Sequence, residues 1–205
     1  MVAELISVGT EILLGNIVNT NAAYLAEKCA LLGLSLYHQS VVGDNEARME
    51  DTIRRALERS DVVILTGGLG PTKDDLTKEV TAKVFKKALC EDAHTKERIM
   101  EFFQKIHNGE KITENNWKQA LIPEGAIIVE NQNGTAPGLI VIGDEGSGYE
   151  GKRAILIPGP PNECIPMFET QIAPYLSDLQ PEGIYSSMVK VCAIGESRQK
   201  QWWRT

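Results

Sequence analysis

The sequence predicts an α/β protein with an open, mostly parallel sheet and helices on both of its faces. Apolar, β-branched runs alternate with amphipathic helical patterns in the order βαβαβ, followed by a further helix. Each of the three strands ends in a turn that contains glycine, namely Gly9–Glu11, Gly43–Asn45 and Gly67–Asp75. Ligands of such sheets bind outside the carboxyl ends of the strands, so these turns are expected to meet at one site.

The first half of the chain supplies the parallel strands and their crossover helices. Asn or Thr caps the first helix, and Gly33 ends it. The second helix carries apolar residues at helical spacing. The predicted elements are a strand at Val2–Val8, a helix from Asn19–Asn21 to Gly33, a strand at Leu34–Val42, a helix at Ala47–Arg59 and a strand at Asp61–Thr66.

The sequence of the second half predicts four helices and four strands. The two strands on either side of the polar stretch 143–152 are expected to form a hairpin. The elements are helices at Asp74–Lys87, Ala93–His107 and Ile112–Ala120, strands at Ala126–Val129, Leu139–Ile142 and Arg153–Ile157, a helix from Asn162 to Pro174, and a strand at Gly183–Ala193.

The glycine turn after the third strand is the strongest candidate for an anion site. Gly67, Gly68, Gly70 and Pro71 break the strand, and a helix is expected to begin near Thr72. A strand, a glycine turn and a helix N-terminus leave unpaired N–H groups beside partial positive charge. Glycine also removes the Cβ that would block left-handed angles and a close ligand. The pattern therefore suits a phosphate.

Two acidic residues, Asp74 and Asp75, follow this turn directly. Paired carboxylates beside a phosphate site suggest a hard divalent cation held by oxygen ligands. Thr72 and Asp75 also have the spacing of a capping box, and acidic residues are common in a first helical turn. Capping and metal binding both stay open from the local pattern, and one aspartate can cap while its neighbour binds.

Composition limits the class of protein. The chain has 205 residues, 42% hydrophobic and 24% charged, with a net charge of −7. An acidic chain argues against a dedicated nucleic-acid or membrane-surface protein, although backbone N–H groups and a metal can still hold phosphates. No apolar run is long enough for a membrane span. Four separated cysteines without a CxxC pair predict reduced, mostly buried thiols and a cytoplasmic location.

Several other motifs give weaker evidence of function. The loop Asn131–Gly138 can supply a second set of backbone donors or be a plain tight turn, and Pro158–Pro161 is an ordinary helix start or part of the site. Gly146–Gly151 matches G-x-G-x-x-G, but it precedes a strand where the motif must follow one. The three histidines lack zinc-site spacing, and no G-x-S-x-G elbow is present.

Five segments in order resemble the competence/damage-inducible CinA family. They are GTEILLGNIVNTN (9–21), VVGD (41–44), TGGLGPTKDDLT (66–77), NGTAPG (133–138) and PGPPNE (158–163). The resemblance is to the family's N-terminal domain, a relative of the molybdopterin-binding domain of molybdenum-cofactor biosynthesis. It implies a three-layer α/β/α fold with a mostly parallel sheet at residues 1–175. Residues 176–205 would begin a linker domain whose tail, Arg198–Thr205, departs from the family pattern and is expected to be poorly ordered.

The resemblance implies a metal-dependent pyrophosphatase that hydrolyses ADP-ribose or a similar dinucleotide to AMP and a sugar phosphate. Asp44, Asp74 and Asp75 would be catalytic and would hold a divalent ion, Mg²⁺, Mn²⁺ or Co²⁺. The substrate-binding residues would be Thr10, Glu11, Asn21, Gly67, Gly68, Gly70, Thr72, Asn133, Thr135 and Gly159. The implied partner is a small nucleotide, with no nucleic acid or membrane, and relatives commonly self-associate, so a homo-oligomer is expected.

Two other functions stay open. One is a molybdopterin-binding or adenylylating domain, and the other is a non-catalytic module in competence or DNA-damage response. Leu69, where the pterin relatives have threonine, and the extra acid Asp74 favour the pyrophosphatase. No Nudix box is present, and nothing in the chain is long enough to be the deamidase domain that full-length relatives carry.

Overall fold

The computed structural model describes residues 1–106 and 112–180. Its strands are β1 (Val2–Val8), β2 (Ser35–Val42), β3 (Val62–Thr66), β4 (Leu89–Glu91), β5 (Leu121–Pro123), β6 (Ile127–Val129), β7 (Gly138–Ile142) and β8 (Arg153–Ile157). Its helices are α1 (Thr10–Leu13), α2 (Thr20–Leu31), α3 (Glu46–Arg59), α4 (Thr77–Val84), α5 (Ala93–Ile106), α6 (Glu114–Trp117), α7 (Pro161–Met167) and α8 (Ala173–Leu179).

The main sheet has six strands in the order β2-β1-β3-β8-β7-β6. β1 pairs in parallel with β2 and β3, and β3 pairs in parallel with β8, whereas β7 is antiparallel to both of its neighbours. The predicted mostly parallel sheet and the β7–β8 hairpin are confirmed. The parallel strands all end at one edge, which carries the turns after β1, β2, β3 and β8.

Two separate hydrophobic cores cover the faces of this sheet and give the predicted three layers. The alternation along β1 shows the division, because Ile6 and Val8 enter one core while Ala3 and Leu5 enter the other. α3 and α4 cover the first face, and α2, α7 and α8 cover the second. Each fully buried Leu or Ile contributes about 1.5–3 kcal/mol.

The ends of α2 follow the predicted capping residues, and α3 is capped in the same way. The Asn19 Oδ1 accepts from the Ala22 N–H at 3.2 Å and caps α2, and Gly33 follows the helix at φ +75°. The Asn45 side chain likewise accepts from the Arg48 N–H at 3.1 Å and caps α3. Each cap satisfies an N–H group that has no partner within the helix.

The helix after the glycine turn begins later than predicted. α4 starts at Thr77 rather than near Thr72 or Asp74, and it ends at Val84 rather than Lys87. The Thr77 N–H donates to the Gly68 carbonyl at 3.1 Å, and the Thr77 hydroxyl donates to the Gly67 carbonyl at 2.8 Å. The first turn of α4 is therefore fastened to the glycine turn, and residues 69–76 form an irregular loop.

Several other elements differ from the prediction, including α1, which was not predicted. The helix expected at Ile112–Ala120 is the short α6 followed by a 3₁₀ turn at Lys118–Ala120. β4 and β5 form an unpredicted two-stranded antiparallel sheet. The last helix continues past Pro174 to Leu179 through a π turn at Phe168–Ile172, because proline is tolerated in the first turn of α8.

The predicted domain boundary at residue 175 falls inside α8, whose Leu176 is fully buried. The predictions for His107, the strand at Gly183–Ala193, the part of the linker after residue 180 and the tail Arg198–Thr205 lie outside the described residues. Of the three described cysteines, Cys29 and Cys164 are buried, Cys90 is exposed, and all are free thiols. Within residues 1–106 and 112–180, no helix has the length and apolar character needed to cross a membrane.

Candidate functional site

A cavity of about 880 Å³ lies at the carboxyl ends of the parallel strands. The turns that follow β1, β2, β3 and β8 all contribute to its wall, as the strand order requires. Of the predicted site residues, Thr10 does not line this cavity. The structure brings together the other twelve, namely Glu11, Asn21, Asp44, Gly67, Gly68, Gly70, Thr72, Asp74, Asp75, Asn133, Thr135 and Gly159.

The glycine turn needs its glycines for close packing. Gly67 has φ +97°, and a Cβ there would lie 2.3 Å from the Val8 carbonyl oxygen. Gly68 has φ +67°, and its Cβ would lie 2.2 Å from the Thr77 hydroxyl oxygen. Side chains at either position would force the β1 and β3 ends and α4 apart.

This turn also offers backbone donors to the cavity. The N–H groups of Gly68, Leu69 and Gly70 have no acceptor in the part of the chain that the structure describes, and all three residues line the wall. The N-terminus of α4 does not, because none of residues 77–84 lines the cavity. The predicted contribution of a helix N-terminus is therefore wrong here, and any anion would be held by the loop backbone.

Asp75 caps a turn rather than a helix. Its Oδ2 accepts from the Thr72 N–H at 2.9 Å and from the Thr72 hydroxyl at 2.6 Å. The ammonium group of Lys118 fastens the same turn, since it donates to the carbonyls of Thr72 and Asp75. Asp75 Oδ1 has no hydrogen-bond partner among the described residues, so capping leaves one carboxylate oxygen unused. Asp74 is exposed and has no partner there either.

Asp44 is held by Thr10 at the ends of β2 and β1. The Asp44 Oδ2 accepts from the Thr10 N–H at 3.1 Å and from the Thr10 hydroxyl at 2.8 Å, and that hydroxyl accepts from the Asp44 N–H at 3.2 Å. Thr10 is exposed and is not among the residues that line the cavity, and its hydrogen bonds orient Asp44, so substrate binding by Thr10 stays a prediction. Within the described chain, Asp44 Oδ1 has no partner.

The predicted metal residues do not form a protein-only cage. Among residues 1–106 and 112–180, no group of three or more His, Cys, Asp or Glu side chains is arranged to hold a metal ion. Asp44, Asp74 and Asp75 nevertheless all line the cavity. Mg²⁺ is usually bound through one or two carboxylates, several waters and substrate phosphates. The donors present fit that mode of binding.

Two buried amide groups in the wall have an unpaired oxygen. The Asn21 Nδ2 donates to the Gly159 carbonyl at 2.7 Å, and the Gln119 Nε2 donates to the Leu69 carbonyl at 3.4 Å. The Asn21 Oδ1 and the Gln119 Oε1 are buried without a hydrogen-bond partner among the described residues. A buried unpaired acceptor costs about 1–3 kcal/mol, so both positions favour a ligand that donates. Sequence reasoning missed Gln119, which lies outside every recognised motif.

The far wall joins the loop Asn131–Gly138 to the start of α7. The half-buried Glu163 carboxylate accepts from the Asn131 Nδ2 at 2.6 Å. Burial raises the pKa of Glu163, and the bond from Asn131 opposes that rise. The Asn133 amide donates to the Asn162 carbonyl at 2.6 Å, so it fastens the loop. The Thr135 hydroxyl has no partner among the described residues and lines the cavity.

Comparison with known proteins identifies the family. The family model described as "Probable molybdopterin binding domain" matches residues 4–178. A competence-damage inducible protein of Caldanaerobacter subterraneus is 50% identical over 204 residues, and one of Caldicellulosiruptor saccharolyticus is 52% identical over 197 residues. These alignments cover 100% and 96% of this chain but 48% and 46% of the relatives. The chain thus spans about half the length of the curated relatives it matches.

Solved structures agree with this assignment. The crystal structure of the protein CinA from Thermoplasma acidophilum, described as of unknown function, has a TM-score of 0.73 and 36% identity, covering 84% of this chain and 97% of that one. The molybdopterin biosynthesis enzyme MoaB from Thermus thermophilus has a TM-score of 0.53 at 14% identity, covering 89% and 98%, and shares the fold. The chain therefore belongs to the molybdopterin-binding-domain family and, within it, to the competence/damage-inducible CinA proteins.

Proposed function

We propose that the cavity is the active site of a metal-dependent nucleotide pyrophosphatase that hydrolyses ADP-ribose or a related dinucleotide to AMP and a sugar phosphate. The observation that carries the proposal is one cavity of about 880 Å³ that combines the glycine turn with Asp44, Asp74 and Asp75. Its volume lies in the range of sites that enclose a whole small-molecule ligand. Its chemistry combines donors for phosphate with carboxylates for a cation.

The backbone of the glycine turn would hold the pyrophosphate. The N–H groups of Gly68, Leu69 and Gly70, which have no described acceptor, would donate to its oxygens. Binding through backbone groups does not require a basic surface, which agrees with the net charge of −7. The side chains of Asn21 and Thr135 would contact the sugar hydroxyls, which both donate and accept.

Two of the aspartates would bind the cation, and the third would accept a proton from the attacking water. Asp44 and Asp75 would each present the oxygen that Thr10 or Thr72 does not use. A divalent ion at this position supplies neutralisation of the pyrophosphate charge. Asp74, which has no described partner, would accept a proton from the attacking water. Attack at one phosphorus breaks its bond to the bridging oxygen and releases the two monophosphates.

Molybdopterin binding is the second candidate. The family description and the MoaB likeness favour it, and the unpaired acceptors Asn21 Oδ1 and Gln119 Oε1 would also suit the amino group of a pterin. A non-catalytic role in competence or DNA-damage response rests on the names of the relatives. Neither of these two functions predicts hydrolysis of ADP-ribose, and binding of molybdopterin distinguishes one from the other.

The test is incubation of the chain with ADP-ribose and Mg²⁺, Mn²⁺ or Co²⁺, or with EDTA, followed by chromatography of the products. We expect AMP and ribose 5-phosphate with at least one of the metals and none with EDTA. A parallel titration measures molybdopterin binding. Tight molybdopterin binding without ADP-ribose turnover would support the second candidate, and neither binding nor turnover would leave the non-catalytic role. We also propose a cytoplasmic, self-associating protein, for which light scattering measures the oligomeric state.

A further inference from the structure

Gln119 is a buried amide that the proposed reaction does not use. Its side chain is 2% exposed and forms part of the cavity wall. The Nε2 donates to the Leu69 carbonyl at 3.4 Å. Because a carbonyl oxygen only accepts, the amide nitrogen must face Leu69 and the Oε1 must face away from it. That Oε1 has no hydrogen-bond partner in the described part of the chain.

An aromatic ring lies in the wall of the same cavity. Phe102 on α5 lines the cavity, is half-buried, and is the only aromatic side chain among the described residues that line it. α5 packs against the 3₁₀ turn Lys118–Ala120 that carries Gln119. Proteins hold a nucleobase by stacking it on an aromatic or apolar side chain and by hydrogen bonds to its polar edge. Phe102 and Gln119 supply these two kinds of contact.

The chemistry of the proposed substrate indicates which group would donate to Gln119 Oε1. This inference therefore rests on the proposed function. The pyrophosphate has no donors. The sugar hydroxyls donate and accept, so they can satisfy any polar group. The exocyclic amino group of adenine is the substrate's donor-only group in neutral solution, and it complements an acceptor whose orientation is fixed.

We propose that the end of the cavity bounded by Gln119 and Phe102 binds the purine base, with Gln119 Oε1 accepting a hydrogen bond from its 6-amino group. Gln119 is then the residue that selects a 6-aminopurine over a 6-oxopurine. A 6-oxo group would bring a second acceptor against the Gln119 oxygen and leave both unpaired. Sites built around a fixed hydrogen bond reject a substrate that cannot form it.

The test compares ADP-ribose with its 6-oxo analogue, IDP-ribose, as substrates of the wild-type chain and of Gln119→Leu. The wild type is expected to show a kcat/KM about 10- to 100-fold higher for ADP-ribose, and Gln119→Leu is expected to bring the ratio close to one. Gln171→Leu is the matched control, because the Gln171 amide is paired at both ends with the Glu130 backbone and does not line the cavity. It should keep the wild-type ratio.

The outcomes separate this inference from the proposed function. If the wild type hydrolyses both substrates equally well, base selection by Gln119 is wrong and the pyrophosphatase stands. The same holds if a folded Gln119→Leu keeps the full preference. If Gln119→Leu does not fold, the kcat/KM ratio of the wild type and that of the more conservative Gln119→Met variant test the inference instead. If the wild type hydrolyses neither ADP-ribose nor IDP-ribose and calorimetry detects no binding of either nucleotide, the proposed function is wrong. This inference, which rests on it, is then wrong too.

Discussion

Thr10 and Asp44 bond to each other where the neighbouring strands β1 and β2 end. Three hydrogen bonds join them, and two of these use the Thr10 hydroxyl as donor or acceptor. The sequence placed both residues at the site, but it could not show which one faces the ligand. That difference depends on the register of β1 and β2, which pairs Val8 with Val42 and so brings the two turns together.

Thr10→Val is expected to lower kcat for the proposed reaction by about 10- to 100-fold, because the Asp44 carboxylate loses one of the donors that orient it. The free energy of unfolding should fall by only about 1 kcal/mol. Steady-state kinetics and denaturant unfolding measure the two effects. Thr10→Ser keeps the hydroxyl and should retain most of the activity. Full activity in Thr10→Val would show that Asp44 needs no such support.

The half-buried carboxyl group of Glu163 makes the stability of the protein depend on pH. Burial raises its pKa from the ordinary value of 4.5, so the folded protein binds the proton more tightly than the unfolded chain. Its contribution to stability is therefore fully present below pH 4.5 and is lost as the pH rises through the higher pKa of the folded state.

Glu163→Gln removes this titration while keeping an oxygen that accepts from Asn131. Relative to wild type, the variant should become more stable as the pH rises above 4.5 and through the raised pKa of Glu163. Urea unfolding at several pH values measures the difference. Glu27→Gln, at an exposed position on α2, is the control and should show no such trend. A stability difference that is constant with pH would contradict the assigned cause.

At the scale of the elements, the order of strands and helices was predictable and some of their ends were not. Period and capping residues are local, so the βαβαβ unit and the cap of α2 at Asn19 could be predicted from the sequence. The start of α4 depends on hydrogen bonds from Thr77 to Gly67 and Gly68, which are tertiary contacts. The three-residue strands β4 and β5 are too short to show a period.

The site residues that sequence analysis missed also depend on tertiary contacts, which local patterns do not show. Parallel strands must end at one edge, so their turns could be predicted to meet. Gln119 and Phe102 come from the excursion between β4 and β6, and no motif marks them. They reach the cavity only because the segment between β4 and β6 folds over the glycine turn.

Gly67→Ala tests the packing of the glycine turn. The Cβ would lie 2.3 Å from the Val8 carbonyl oxygen at φ +97°, so we expect a loss of at least about 2 kcal/mol in the free energy of unfolding. Gly146→Ala is the matched control, since Gly146 has φ +80° but no described atom within 4 Å of the added Cβ. It should lose about 1 kcal/mol or less. Equal losses in both would show that backbone angle, and not packing, sets the requirement for glycine.

At the scale of the whole molecule, the sheet order places the candidate anion-binding groups of an acidic chain at one edge. Four parallel strands end beside one another, and the turns after them contribute backbone donors and carboxylates to one cavity. Self-association stays a prediction. The large apolar side chains of Leu13, Leu14, Ile17 and Val18 are more than half exposed beside this cavity and are the first surface to examine if an oligomer forms.

The most direct measurement is the rate of ADP-ribose hydrolysis with Mg²⁺ by the wild type, by Asp75→Asn and by Asp178→Asn. The substituted amide would keep an oxygen that accepts from Thr72, so the fold should persist while kcat/KM falls by about 100-fold or more through loss of the charge. Asp178 is exposed on α8 and its variant should match the wild type. Equal hydrolysis by folded Asp75→Asn, or none by the wild type, would contradict the account.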